Sequence, residues 1–367
     1  MRIVAAALQT GHRPANRLIR TCSHPLRPSH TITMADAPQQ PLHPDDSLPP
    51  VEPPSAAFLV QLFLVPGLIV AIIVAVWLAF HWLAHLGNDP QAYVRTLRRA
   101  NEGRWQAALN LANDLRGPGG GALKADTKLA TELGSILDDE ADSGRTGEQS
   151  QTLRLYLCRA LGEFSVSEAA PPLVRRAEDT TDTETARAAI EAVAVLATNL
   201  TAADRTFSNR DGVINAVVAA SRADDAPLRN ACGFTLGVLG GDRSIEALQR
   251  LASDGNADVR ANAALGLARQ GRSEAYEPLA EMLALPDVAP SSAQSQPDDQ
   301  AQSERYKRAL VVINALRGVA LLLDATGEQP PGDVTTRVKT LREDAVSEVR
   351  SSATAVLTKI ERLSGGQ

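Results

Sequence analysis

The chain has 367 residues, of which 44% are hydrophobic and only 4% aromatic, with a formal net charge of −6. Residues 87–367 hold 32 basic and 39 acidic side chains, a balance that disfavours a nucleic-acid groove, so no nucleic acid is expected as a partner. All six histidines, at positions 12, 24, 30, 43, 81 and 85, precede residue 87, which excludes His triads, His metal sites and His general bases from the long C-terminal part.

Residues 1–33 contain Arg2, Arg13, Arg17, Arg20 and Arg27 and no acid, while the stretch from Met34 to residue 55 turns acidic and Pro-rich. Translation from Met34, with 1–33 absent from the mature protein, accounts for that change. A transit peptide is the other reading; a secretory signal is not, because the apolar run Ile3–Leu8 is too short. Residues 1–55 are expected to be a disordered, Pro-rich tail with too little apolar surface to fold.

Phe58–Leu86 dominates the pattern. No Asp, Glu, Lys or Arg occurs between Glu52 and Asp89. As a helix, Phe58–Trp82 is about 37 Å long, enough to cross a hydrocarbon core of ~30 Å with some tilt. The sequence predicts a single transmembrane helix within 56–88, with the lipid bilayer as its partner. Trp77 and Trp82 suit the headgroup interface, as do His81 and His85, which share a helix face at i, i+4 spacing. Residues 35–55 carry no Lys or Arg, whereas Arg95, Arg98, Arg99 and Arg104 follow the helix. The positive-inside rule then puts the short tail outside and the large C-terminal domain in the cytoplasm.

Residues 89–149 read as a helical stalk. Asp89 can cap a helix that opens on Pro90. Tyr93, Val94, Leu97 and Ala100 form one apolar stripe, and Trp105, Ala108, Leu109, Leu111 and Ala112 form the next. The turn through Gly103, Arg104, Trp105, Ala108 and Leu109 resembles the hinge of a tetratricopeptide unit, over one unit only. A helix is predicted over 122–138. The acids at 138, 139, 140 and 142 lack the alternation of a calcium loop and read as a solvated helix end. GPGGG at 117–121 has neither a preceding strand nor a following Lys-Ser/Thr, so it is a linker and not a phosphate loop.

From residue 150 the chain begins to repeat itself. SQTLRLYLCRALGEF (150–164), DTETARAAIEAVAVLA (182–197), DAPLRNACGFTLGVLG (225–240), NADVRANAALGLARQG (256–271) and VSEVRSSATAVLTKI (346–360) can be overlaid. Each opens on a capping-type polar residue, continues through Arg154, Arg187, Arg229, Arg260 or Arg350, and ends on an Ala-rich apolar helix. Gly240, Gly241 and Gly271 fall where a left-handed residue ends a helix. Second helices are predicted at 169–176, 213–220, 244–252 and 273–285. No such hairpin can bury its stripe alone, so the units must stack.

Asp258-Val259-Arg260-Ala261-Asn262-Ala263-Ala264-Leu265-Gly266-Leu267-Ala268 resembles the first helix of a HEAT repeat. The period, 31 residues from Arg229 to Arg260, is similar to the short bacterial type also found in phycobilisome-lyase-like proteins. The resemblance implies an all-α solenoid of HEAT-like hairpins over 150–363. It also implies that Asp225, Arg229, Asp258, Arg260 and Arg350 form a structural ladder rather than a substrate site. The segment 286–304, rich in Pro, Ser, Gln and Asp, reads as a disordered insertion. An apolar helix over 304–325 resumes the solenoid; Arg305, Lys307, Arg308, Arg317 and Asp324 disfavour a second membrane span there. A C-terminal helix is predicted over 341–363, its Glu348, Arg350, Lys359, Glu361 and Arg362 giving the stack a polar end.

No catalytic set, cofactor site or metal site is expected. Cys158 and Cys232 lie in apolar helical patterns, as small buried hydrophobes do. The expected function is a membrane-tethered scaffold that binds protein partners on the solenoid surface. The alternative is a lyase-like HEAT-repeat enzyme acting on a bilin or a protein substrate. A third reading makes the acidic tail a peptide ligand in a sensor or assembly component.

Overall fold

A computed structural model describes residues 56–85, 90–99, 103–179, 181–286 and 299–365. Among these residues all regular structure is helical. The chain divides into two compact units, Met1–Ala75 and Val76–Gln367, with the division inside the first helix.

That helix, α1, spans Ala56–His85 with Pro66 inside it. Every side chain from Val60 to Phe80 is exposed, and the same stretch is apolar on all sides. A helix of this kind has no polar face to offer water. By length and composition Val60–Phe80 could cross a membrane.

The second unit is a two-layer stack. Its helices are α2 (Pro90–Arg98), α3 (Arg104–Arg116), the single turn α4 (Gly121–Lys124), α5 (Thr127–Asp142), α6 (Glu148–Gly162), α7 (Ala170–Glu178), α8 (Thr183–Ala202) and α9 (Arg210–Ala220). These are followed by α10 (Ala226–Leu239), α11 (Asp242–Leu251), α12 (Ala257–Arg269), α13 (Tyr276–Leu283), α14 (Asp299–Thr326), α15 (Gly332–Thr340) and α16 (Ser347–Gly365). One layer is α3, α6, α8, α10, α12, α14 and α16, each packed on the next; the other is α2, α5, α7, α9, α11, α13 and α15.

The sequence explains the stack locally. Asp126, Asp182, Asn209, Asp225 and Asn256 each accept a bond from a backbone N–H of the first helical turn, capping α5, α8, α9, α10 and α12. On α12, Val259, Ala263, Ala264 and Leu267 are fully buried, and Ala247, Leu248 and Leu251 of α11 meet the same core. Small residues set the spacing of the first layer. A Cβ on Gly237 would lie 2.5 Å from Gly266 Cα, and one on Gly162 would lie 2.9 Å from the Ala192 carbonyl oxygen. Gly240, Gly241 and Gly271 have φ of 64°, 89° and 66°, as their positions after the first helices require.

Several boundaries differ from the sequence expectation. The helix expected over 122–138 is two pieces, α4 and α5, and α5 runs on to Asp142. Asp138 and Glu140 stay helical because arginines from other elements neutralise them: Arg175 and Arg176 meet Asp138, and Arg104 and Arg145 meet Glu140. Packing also continues across the boundary expected at 149/150, since α3 and α5 both lie against α6. Within the insertion expected at 286–304, residues 299–304 are helical and open α14; 287–298 lie outside the described residues.

The helix expected over 341–363 starts only at Ser347. Leu341–Glu343 is a separate 3₁₀ turn, and the Asp344 carboxylate accepts from Val346 N–H at 2.9 Å, turning the chain between the two. Helix α15 was not expected at all. Thr-rich and preceded by two prolines, it carries only Val334 and Val338 into the core. α14 also has the length and apolarity of a membrane span, but 44% of its apolar window is buried, against α12, α13 and α16.

Candidate interaction surface

The expected ladder residues do local work. In three repeats one arginine, four residues after the cap, reaches back to the turn that precedes its helix. Arg229 Nη1 donates to the carbonyls of Ala223 and Asp224 at 2.9 and 2.8 Å. Arg260 Nη1 donates to those of Asp254 and Gly255 at 2.9 and 3.2 Å. Arg350 Nη1 donates to those of Asp344 and Ala345 at 2.7 and 3.0 Å. Each guanidinium thereby satisfies carbonyls that its turn leaves unpaired. The rest of the fork links repeats: Arg229 pairs in bidentate fashion with Asp254 at 2.8 and 3.0 Å, and Arg260 pairs with Glu281. A parallel amide ladder runs from Asn262 to Asn230 and from Asn230 to the Asp258 carbonyl.

The acids take different parts from those expected of them. Asp225 is the cap of α10. The corresponding residue of the next repeat is Asn256, not Asp258. Asp258 lies exposed in the first turn of α12, and its carboxylate makes no ion pair among the described residues. Arg187 and Arg154 also depart from the common register. Arg187 makes no loop-carbonyl bond among the described residues. Arg154 is buried and pairs with Asp182 at 3.1 Å.

At the N-terminal end of the stack lies a buried acid that the sequence reading took for part of a solvated helix end. Glu140 is 2% exposed. It accepts from Arg104 at 2.7 Å, Ser150 at 2.5 Å and Arg145 Nε at 3.1 Å. Burial opposes its charge, but the bonds from Arg145, Ser150 and Arg104 prevail and hold its carboxyl at about 2. The only cue in the sequence was an acid at core spacing, three and four residues from Leu137 and Ile136.

The surface suited to recognition is the outward side of the first layer. On every first helix one stripe stays partly open, opposite the stripe that is buried. Tyr156 of α6 stacks on Trp105 of α3, with ring centroids 6.1 Å apart, and the Arg159 guanidinium lies 5.4 Å from the Tyr156 ring. Farther along the layer, Arg269 of α12 lies 4.9 Å from the Phe234 ring of α10. Glu191 of α8 keeps solvent access, yet burial pushes its carboxyl up while Arg187 and Arg159 oppose that shift. Burial likewise lowers the Arg269 guanidinium. Both side chains are exposed at the surface. Val195, Val238 and Leu265 continue the stripe, which α14 extends with Tyr306, Leu310 and Leu321 at 66%, 41% and 39% exposure. Sequence reasoning missed this face; the only signal was a large aromatic or an arginine at regular intervals in Ala-rich helices.

Other expected features fall elsewhere. Trp77 is an exposed residue of α1; His81, Trp82 and His85 belong to its last turns, and their side chains lie outside the described residues, as does Leu86. Cys158 and Cys232 are buried thiols, and burial pushes Cys158 up to about 12 and Cys232 higher still. Among the described residues no group of His, Cys, Asp and Glu is placed to hold a metal ion.

Comparison with known proteins adds to this geometry. Residues 214–294, which include all of α10–α13, match the family model of HEAT repeats. The solenoid is HEAT-like. No curated protein matches the chain. Human deoxyhypusine hydroxylase in complex with glycerol aligns at 19% identity over 74% of this chain and 96% of that one, with a TM-score of 0.29. Two engineered proteins align at 18% and 14% identity, each over 75% of this chain and over 98% and 99% of their own lengths, with TM-scores of 0.33 and 0.25. At such scores none of the three supports an argument about this HEAT-like chain.

Proposed function

We propose that this protein is a membrane-tethered scaffold whose HEAT-like solenoid binds protein partners on the outward face of its first helix layer. One observation carries the reading: a partly open stripe across α3–α14 that presents Trp105, Tyr156 and Phe234, with Arg159 over Tyr156 and Arg269 over Phe234. Aromatic residues and arginine are what protein recognition uses as anchors, and stacked repeats supply the extended surface they need.

The tether is α1, with the bilayer taking Phe58–Leu86. The arginines that follow it support a cytoplasmic solenoid and an outside N-terminal tail. Such tethering raises the local concentration of any partner at the membrane. Binding without catalysis fits residues 87–367, which lack histidine and whose cysteines are buried away from reactants. The acidic balance of the solenoid supports protein over nucleic acid as partner.

Proximity labelling from the full-length protein in its own membrane tests this. Phe234→Glu should remove a specific set of labelled proteins that Glu277→Ala, at an exposed site on α13 in the other layer, retains. Identical labelling by both variants and the wild type would sink the proposed surface. Protease protection of the tail in sealed cells tests the orientation.

A further inference from the structure

The solenoid uses most of its arginines internally. Arg116 pairs with Glu163, Arg154 with Asp182, Arg229 with Asp254 and Arg260 with Glu281. Arg159, Arg269 and Arg317 differ. All three are exposed on the first layer's outward stripe, and none makes an ion pair among the described residues. Two of them lie over aromatic rings, Arg159 over Tyr156 and Arg269 over Phe234. A guanidinium over a ring keeps N–H donors for another acceptor, and its planar fork matches a carboxylate. These cations stand out in a part of the chain that holds 39 acidic and 32 basic residues. They are also interleaved with partly open apolar side chains, Leu265 beside Arg269 and Leu310 and Leu321 on either side of Arg317.

Building on the interaction reading, we propose that this face takes an acidic, apolar-studded segment of a partner protein, with its carboxylates on Arg159, Arg269 and Arg317 and its apolar side chains against Phe234, Leu265 and Leu310. Charge complementarity selects this occupant. A basic segment would meet three arginines without ion pairs among the described residues, with Glu191 near Arg159 as a partial offset. A nucleic acid carries a phosphate at every nucleotide and would set one against Glu191 in the middle of the stripe, where a peptide can place an apolar side chain.

The test is selection from a displayed library of random peptides on the full chain in nanodiscs, repeated on Arg159→Gln/Arg269→Gln and on Phe234→Ala. Thermal melts check that each variant is folded, and the two arginine changes lie at exposed positions. Peptides that combine Asp or Glu with apolar residues should be enriched. Their affinity should fall at least about tenfold on the double arginine variant, the loss expected when charge-assisted bonds to a carboxylate are removed, and should weaken as salt rises. Enrichment of neutral or basic peptides that depend on Phe234 but not on the arginines would overturn the acidic partner and leave the interaction surface standing. No enrichment, or enrichment indifferent to all variants, would overturn both. A single-stranded oligonucleotide that displaces every selected peptide would overturn the protein partner in favour of nucleic acid.

Discussion

The two ends of the solenoid tie their turns to the stack by different means. In the central and C-terminal repeats, Arg229, Arg260 and Arg350 each grip the carbonyls five and six residues before them. At the N-terminal end, Glu140 of α5 is clasped by Arg104 of α3, by Arg145 of the following turn and by Ser150 of α6. Arg154 extends that cluster to the Arg145 carbonyl and to Asp182 at the start of α8. The first device is local and repeats with the sequence. The second joins elements far apart in the chain, Arg104 and Glu140 being 36 residues apart, and occurs at one end. A local clamp that fails loosens one turn; a buried carboxylate that fails leaves several cations without a counter-charge.

That contrast orders the expected effects. Glu140→Ala should be the most damaging change, costing about 3 kcal/mol, the range for removing one partner of a buried ion pair. Urea unfolding followed by circular dichroism measures it, and a cost below that of Arg229→Ala would reverse the ranking. The same carboxyl predicts an acid response. Its folded value of about 2 lies below the ordinary 4.5, so its contribution is full above about pH 4.5 and is lost as pH falls towards 2. Glu140→Gln should flatten stability against pH in that window, and an unchanged acid limb would show that other groups control it.

Gly237→Ala should cost about 2 kcal/mol, because its Cβ would meet the backbone of Gly266 and not a side chain able to move. A crystal structure of the variant with α10 and α12 at unchanged separation would contradict that cause. Arg229→Ala should cost about 1.5 kcal/mol, losing both a bidentate carboxylate and two carbonyls, and Arg350→Ala about 1 kcal/mol, losing the carbonyls alone; equal losses would assign the stabilisation to the turn and none to Asp254. The smallest contrast concerns the caps. Asn256→Ala should cost about 1 kcal/mol, whereas Asp258→Ala should stay within about 0.5 kcal/mol; the opposite order would restore Asp258 to the ladder.

Much of the fold was legible in advance for the same reason that the central repeats are uniform. Caps such as Asp225, the glycines at 240, 241 and 271, and the apolar spacing from Val259 to Leu267 act within a turn or two of where they stand. They specify helix, stop and buried face before any distant partner is considered. Where that signal was weak the expectation failed. Two valines among threonines did not announce α15, and an acid run that reads as a helix end continued α5 because distant arginines neutralised it.

The sequence by itself determined the all-α class, an apolar helix within 56–88 and the period of the repeats. Each is set by spacing and caps acting within a few residues along the chain. Only the tertiary structure decided that Asn256 caps where Asp258 does not, that Glu140 is a buried charge, and that Tyr156, Arg159, Phe234 and Arg269 share one open stripe. Those facts depend on how the layers stack, and stacking brings together residues whose separation in sequence carries no sign of their meeting.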